Sequence, residues 1–383
     1  MKKLFIVVNV DWFFLSHRLP IALAAKKQGY EVTIVSANTG LKEEIESHEL
    51  SFIEVPFERS GTRFFHELKC IRLLRKLYQK HKPDVIHHVT LKACLLGSLA
   101  AKSVNHKNVV NAISGLGYNF IDDRKGLTQR VIQHLIPIAF KSKTFYFILQ
   151  NHDDVDLISK MKLVPSENIV LIKGSGVDLN EYTYTMLPKT NRLQFLFPAR
   201  MLYDKGLSEL LEAANILRSE IAHKAEFILA GDCDPENLAA ITPDDLQKKV
   251  DGDYIKWIGF QKDMLPIYKN STIVVLPSYR EGLPKSLIEA CAVGRPIITT
   301  DVPGCRECVI DGYNGRLVKV KCVNALAFAI LEFVEGKLPM EQYSLNSRCL
   351  AEKEFSIENV VNKTMEVYEK LYKKTDALVF VSE

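Results

Sequence analysis

The chain has 383 residues, 47% of them apolar and 25% charged, and carries a formal net charge of +4. That length exceeds what one hydrophobic core usually serves and points to two domains, while the ordinary composition excludes disordered, fibrous and collagen-like classes. Charge is unevenly spread: residues 1–190 hold 26 Lys and Arg against 18 Asp and Glu, a net +8, and the remainder 24 against 28, a net −4, so the first half is the one expected to meet an anionic surface or partner.

In chain order, "KLFIVVNV" is a β-rich apolar run far too short to span a membrane. Its basic start has no small-residue cleavage site behind it, so it reads as a first strand rather than a signal peptide, and a cytoplasmic protein is expected. "SHRLPIALAAKKQGY" has helical apolar spacing, Gly29 marks a turn, and "EVTIVSA" is a second strand. The alternation continues through "SFIEVPF", a helix over 64–81, "DVIHHV", a small-residue helix over 92–103 and "NVVNAIS"; "YFILQN" and "IVLIKGSGV" extend the sheet. Residues 183–192 are polar with a proline and read as a linker. The pattern then restarts with "LQFLFPAR", a helix over 206–219, "AEFILAGD", "YIKWIGF", a short helix over 263–269, "STIVVLPS", a helix from 284, "RPIITTD" and "NGRLVK". A last helix, 356–373, has no strand after it and is expected to cross back to the first domain. The expected boundaries are 1–185, 190–355 and 356–383. Alternation this regular means parallel sheets covered by helices on both faces: an α/β protein of two Rossmann-like, doubly wound domains facing an interdomain cleft, with ligands at the carboxyl ends of the strands.

Eight cysteines stand singly apart from Cys305 and Cys308, which suits reduced buried thiols. "CREC" has no second pair or nearby histidine to make a zinc or redox site. "DDVD" (153–156) and "DCD" (232–234) imitate metal-binding aspartate patterns but read as solvated acids.

The first half lacks G-x-G-x-x-G after its first strand, where "NVDWFFLSHR" stands, so a standard dinucleotide site is disfavoured. Phosphate chemistry lies in the second half. "PAR" ends a strand at Arg200 and "DKG" sets Lys205 before a helix, placing two cations at the carboxyl edge of that sheet; read singly they are surface charges. In "LPSYREGLPKSLIEA", Gly282 and Pro284 suit a turn entering a helix. The free amides of Leu283, Lys285 and Ser286 could then meet an anion at the positive helix end. Glu289, one to two turns on, could accept hydrogen bonds from a ribose diol, and Glu281, still in the loop, from whatever the diphosphate carries. The bland reading of both acids is compensation of the helix dipole.

Arg200, Lys205 and the E-x7-E of Glu281 and Glu289, with "R-x4-KG", "GSGVD" and the run "PGCRECVIDGYNG" in order, resemble the large retaining glycosyltransferase family of the two-domain GT-B fold, often called family 4. The resemblance covers nearly the whole chain. "FFLSHRLPIALAAKKQGYEV", "DVIHHVTLKACLLGSLAA", "NAISGLGY" and "IKGSGVD" are similar to the bacterial branch that builds capsule, O-antigen and lipid-linked oligosaccharides. It implies a nucleotide-sugar donor, UDP-linked by preference and carrying a hexose or N-acetylhexosamine, on the second domain. Arg200 and Lys205 would neutralise the departing diphosphate beside the helix entry at Gly282, Leu283, Pro284, Lys285 and Ser286. Glu289 would hold the ribose, Glu281 the sugar, and backbone at 257–260, Gly259 included, the base. A lipid-diphosphate-linked saccharide acceptor would enter from the first domain, past Phe14 and His17 and past Ser114, Gly115 and Gly117. No metal, other cofactor or nucleic acid is implied. Where many members have a histidine near the reacting carbon this chain has Ser114-Gly115, and His17 or His88 could fill part of that role.

Two rivals share the architecture: a nucleotide-sugar 2-epimerase and a two-lobed solute-binding protein. Separately, on the stretch 59–82 Phe65, Leu68, Ile71, Leu74 and Tyr78 follow helical spacing, while Arg63, Lys69, Arg72, Arg75, Lys76, Lys80 and Lys82 supply cations. Packed on the first sheet, such a helix would turn a basic face to an anionic membrane, and peripheral attachment to the inner face of the cytoplasmic membrane is expected.

Overall fold

The computed structural model describes residues 1–58, 64–115, 127–234, 237 and 239–380, with side chains at all of these except 64, 127–132 and 373–380. It divides into two units, Met1–Ser175 with Ile357–Glu383, and Gly176–Ser356.

In the first unit β-branched and aromatic runs form β1 (Lys2–Val7), β2 (Tyr30–Ser36), β3 (Ser51–Glu54), β4 (Val85–Val89), β5 (Val109–Ile113), β6 (Tyr146–Leu149) and β7 (Ile169–Leu171). They lie in the order β3-β2-β1-β4-β5-β6-β7. All pairs are parallel, with Ile6 of β1 opposite Ile34 of β2 and His87 of β4. Between them run α1 (Asp11–His17), α2 (Leu19–Lys27), α3 (Lys42–Ser47), α4 (Phe64–His81), α5 (Leu91–Ser103), α6 (Leu127–Phe140) and α7 (His152–Lys160). Side chains alternate across β1: Leu4, Ile6 and Val8 pack with Phe14, Ile21 and Ala25 of α1 and α2, whereas Phe5 and Val7 pack with Leu74, Tyr78 and Ala93 of α4 and α5. Both faces are covered, which is why the strands read as continuous apolar runs.

The second unit repeats the plan with β8 (Leu193–Pro198), β9 (Ala225–Ala230), β10 (Ile255–Trp257), β11 (Ile273–Leu276), β12 (Ile297–Thr300) and β13 (Gly315–Val318), ordered β10-β9-β8-β11-β12-β13 and parallel throughout. Its helices are α8 (Leu207–Ile221), α9 (Pro243–Gln247), α10 (Leu265–Asn270), α11 (Lys285–Val293), α12 (Val323–Val334) and α13 (Met340–Glu354). A Cβ on Gly315 would come within 1.9 Å of the Ile297 carbonyl oxygen, so only glycine lets β13 close on β12 here. Strand order reverses between β8 and β11, which opens a ligand crevice at their carboxyl ends.

The chain enters the second unit at Gly176, earlier than the expected 185–190. The chain before the supposed linker is already part of this unit, Val177 donating its N–H to the Phe355 carbonyl at 2.9 Å and Leu179 and Tyr182 lying on the second core, and the linker itself is anchored where the buried Arg295 guanidinium holds the carbonyls of Thr185 and Met186. The last helix, α14 (Ile357–Phe380), joins the first unit, burying Val360, Met365, Val367, Tyr368 and Leu371 in its core.

Candidate functional site at the edge of the second sheet

Three loops interlock at the reversal point. After β8 the chain passes Arg200, makes a tight turn over Tyr203–Lys205 and enters α8 at Gly206, whose φ is +77°. A Cβ there would sit 2.1 Å from the Pro277 carbonyl oxygen, so the loop leading to α8 lies directly on the one leaving β11. The Asp204 carbonyl accepts the Tyr279 N–H at 2.9 Å and the Ser278 hydroxyl at 3.2 Å. From the other side, a Cβ on Gly304 (φ +81°) would meet the carbonyls of Glu281 and Gly282 at 2.5 and 2.6 Å, and Glu281 donates its N–H to Pro303. Glu281 is thus fixed by backbone on both flanks. Its carboxylate pairs with the Lys205 ammonium and accepts the Ser278 hydroxyl at 2.8 Å.

The other site cations are also held by acids. Arg200 pairs with Asp234, four residues past the end of β9. The Lys285 ammonium stands 3.5 Å from the Glu289 carboxylate, one turn along α11. Every side chain of α11 from Leu287 to Val293 is buried, Glu289 among them. Burial pushes the Glu289 carboxyl above the usual carboxylate range, although Lys285 and the hydroxyls of Tyr268 and Tyr182 act against it. Pro284 caps α11 after the buried Gly282 and Leu283, and the half-buried Lys285 and Ser286 begin its first turn. Gly259, at φ +67° with open space where a Cβ would stand, accepts the Gly231 N–H at 2.9 Å just past β10.

The second unit therefore gathers Arg200, Lys205, Glu281, Gly282, Leu283, Pro284, Lys285, Ser286 and Glu289 on neighbouring loops and one helix end. Sequence reasoning missed Asp234, which is buried beside Arg200 rather than solvated. Asp154 of "DDVD" is buried too: Asn151 caps α7 through the Asp154 N–H and returns a hydrogen bond to its carboxylate at 3.0 Å. Among the described residues no group of three or more His, Cys, Asp or Glu could hold a metal ion.

The first-unit candidates divide differently. Phe14 is fully buried in the core, and so is His88, set between the Tyr78 hydroxyl at 3.0 Å and Asn111 Oδ1 at 2.9 Å, with its pKa pushed down to about 4 by desolvation. A Cβ on Gly97 would strike the His88 ring at 2.2 Å. These are packing positions that offer no surface to an acceptor, which corrects the expectation for both. His17 is half-buried at the end of α1, stacked on Phe13 at 4.1 Å with Nδ1 2.6 Å from the Ser16 hydroxyl. Ser114 and Gly115 follow β5, half-buried. Gly117 lies outside the described residues.

The family model described as "Glycosyl transferase 4-like" matches residues 3–151, and that described as "Glycosyl transferases group 1" matches residues 192–336. The chain is a glycosyltransferase, 4-like in its first half and group 1 in its second. The glycosyltransferase is 28% identical to the N,N'-diacetylbacillosaminyl-diphospho-undecaprenol alpha-1,3-N-acetylgalactosaminyltransferase of Campylobacter jejuni, over 85% of this chain and 89% of that protein. It is 25% identical to the UDP-Gal:alpha-D-GlcNAc-diphosphoundecaprenol alpha-1,3-galactosyltransferase of Escherichia coli, over 79% of each. Its fold is that of a Rickettsia africae glycosyltransferase, with a TM-score of 0.76 at 18% identity over 97% and 99% of the two chains, and is the two-domain GT-B fold.

Proposed function

We propose that this glycosyltransferase moves a hexose or N-acetylhexosamine from a UDP-sugar to a saccharide carried on a lipid diphosphate, with retention of anomeric configuration and without a metal. The observation that carries the reading is the set of three basic side chains, Arg200, Lys205 and Lys285, held by acids around a helix N-terminus at the strand-order reversal. Fixed cations and amides aimed at a departing diphosphate supply the charge stabilisation that a divalent ion supplies elsewhere. Glu289 would take the ribose hydroxyls and Glu281, fixed in its loop, a hydroxyl of the sugar. The acceptor class is supported by the two relatives named above, whose names specify diphospho-undecaprenol carriers.

Such an acceptor is presented at a membrane surface, and α4 suits one. Lys69, Arg72, Arg75, Lys76 and Lys80 are exposed on it, and Arg72, Arg75 and Lys76 have no ion-pair partner among the described residues. Arg63 lies outside the described residues, and no described helix is long and apolar enough to cross a membrane. Peripheral attachment at the cytoplasmic face through α4 completes the proposal.

The test is transfer from a panel of UDP-sugars to a diphospholipid-linked N-acetylhexosamine in excess EDTA. Full activity and a retained linkage by NMR are expected. Loss in EDTA with rescue by manganese, or an inverted linkage, would overturn it.

A further inference from the structure

Arg200 is the most exposed of the three paired site cations, and an arginine that nothing holds in place loses rotamer freedom when it binds a phosphate. Its carboxylate partner is built into the frame. The loops after β8 and β9 are bonded at three described points: Met201 donates its N–H to the Asp232 carbonyl at 3.0 Å, Ile241 to the Met201 carbonyl at 3.1 Å and Tyr203 to the Ala239 carbonyl at 2.8 Å. Gly231, at φ +150°, lies so close to Ala199 that a Cβ would fall 2.0 Å from its carbonyl oxygen. Asp234 leaves this braced segment with its side chain 9% exposed, against 45% for Arg200. The acid therefore lies behind and the guanidinium in front, with one of its five N–H donors committed to Asp234 Oδ2 and the outward ones left for a ligand.

We propose that Asp234 is a positioning residue for the transfer reaction: it holds Arg200 from behind so that the guanidinium meets the donor diphosphate already oriented. The inference rests on the donor reading given above. The opposing physical effect is repulsion between the Asp234 carboxylate and the incoming diphosphate, which would make the acid a competitor. Its burial behind a cation that neutralises it makes orientation the larger effect.

A double-mutant cycle on the full chain decides the matter, with UDP as the probe and its dissociation constant read by calorimetry for the parent, Asp234→Asn, Arg200→Gln and the double variant. Asp234→Asn is nearly isosteric and is checked by circular dichroism; Arg200→Gln and the double variant report the coupling independently of any small change in stability. The expected result is UDP weakened on the order of tenfold by Asp234→Asn, with no further weakening when it is added to Arg200→Gln. Two independent losses that add, unchanged binding, or tighter binding in Asp234→Asn would each overturn the inference while leaving the donor site standing. A parent chain that does not bind UDP would overturn the donor reading together with it.

Discussion

Glu289 shows at the scale of one residue what the site costs the fold. It is a carboxylate in a helix whose other inward positions are Leu, Ile, Ala, Cys and Val, and burial outweighs its neighbours in setting its pKa above 4.5. An acid with a raised folded-state pKa binds more protons in the native than in the unfolded chain above the unfolded value, so its contribution to stability falls as pH climbs from there to the raised value. Glu289→Gln removes the charge at constant shape and is expected to melt above the parent near neutral pH, with an advantage that shrinks as pH falls toward 4.5. Scanning fluorimetry across that range checks it, and a variant melting lower near neutrality would show that Lys285 outweighs burial. The same variant is expected to lose about 1.5–3 kcal/mol of UDP affinity, whereas Glu281→Gln keeps UDP and lowers turnover. Equal loss of UDP in both would show the two roles misassigned. The position of both acids was legible, because a loop after a strand and the first turns of the next helix fall at one sheet edge. Asp234 was not, since its pairing with Arg200 joins residues 34 apart through two loops whose approach only the folded unit defines.

Among the elements, α4 tests how far periodicity reaches. Its spacing selected the packed positions Leu74 and Tyr78 correctly, both buried, and set the cations on the outer side; Phe65, assigned to the same stripe, is 85% exposed at the helix start. A basic face with an exposed aromatic at one end is suited to an anionic interface, each cation near the leaflet contributing about 1 kcal/mol, screened by salt. Binding to anionic liposomes is expected to fall sharply in high salt and after Arg72, Arg75 and Lys76 are changed to glutamate, as co-sedimentation measures. Indifference of the parent to lipid charge would refute this role of α4. Strand-helix alternation was likewise enough to read both sheets, because buried parallel strands are continuous apolar runs between amphipathic helices. It did not reveal α12 and α13, which follow the last strand and break the alternation, and it mistook 183–192 for a linker because polarity alone does not show that Arg295 reaches from the core to hold that segment's carbonyls.

At the scale of the whole molecule, the chain leaves the first unit at Ser175 and returns at Ile357, so the first core is completed only by α14, made after the whole second unit. The two crossings are tied by a parallel bridge between Val177 and Ser356. Within the first unit α14 is fixed by the Tyr368 hydroxyl, 2.6 Å from His87 Nδ1, and by a ring with no exposed surface in a cluster shared with Leu4, Ile6 and Tyr30. Desolvation holds His87 well below its ordinary pKa, so it stays neutral and this hydrogen bond carries no titrating charge near physiological pH. Tyr368→Ala empties an aromatic site that cannot collapse easily and strands His87, a loss of about 3–5 kcal/mol for the first unit. The second unit has its own sheet, its own core and all the residues assigned to UDP, so its stability is not expected to follow. Calorimetry of the variant is therefore expected to show one transition moved to lower temperature and one unmoved, with only the second shifting upward when UDP is added. A single transition displaced as a whole, with UDP binding lost alongside it, would show that the two units unfold as one.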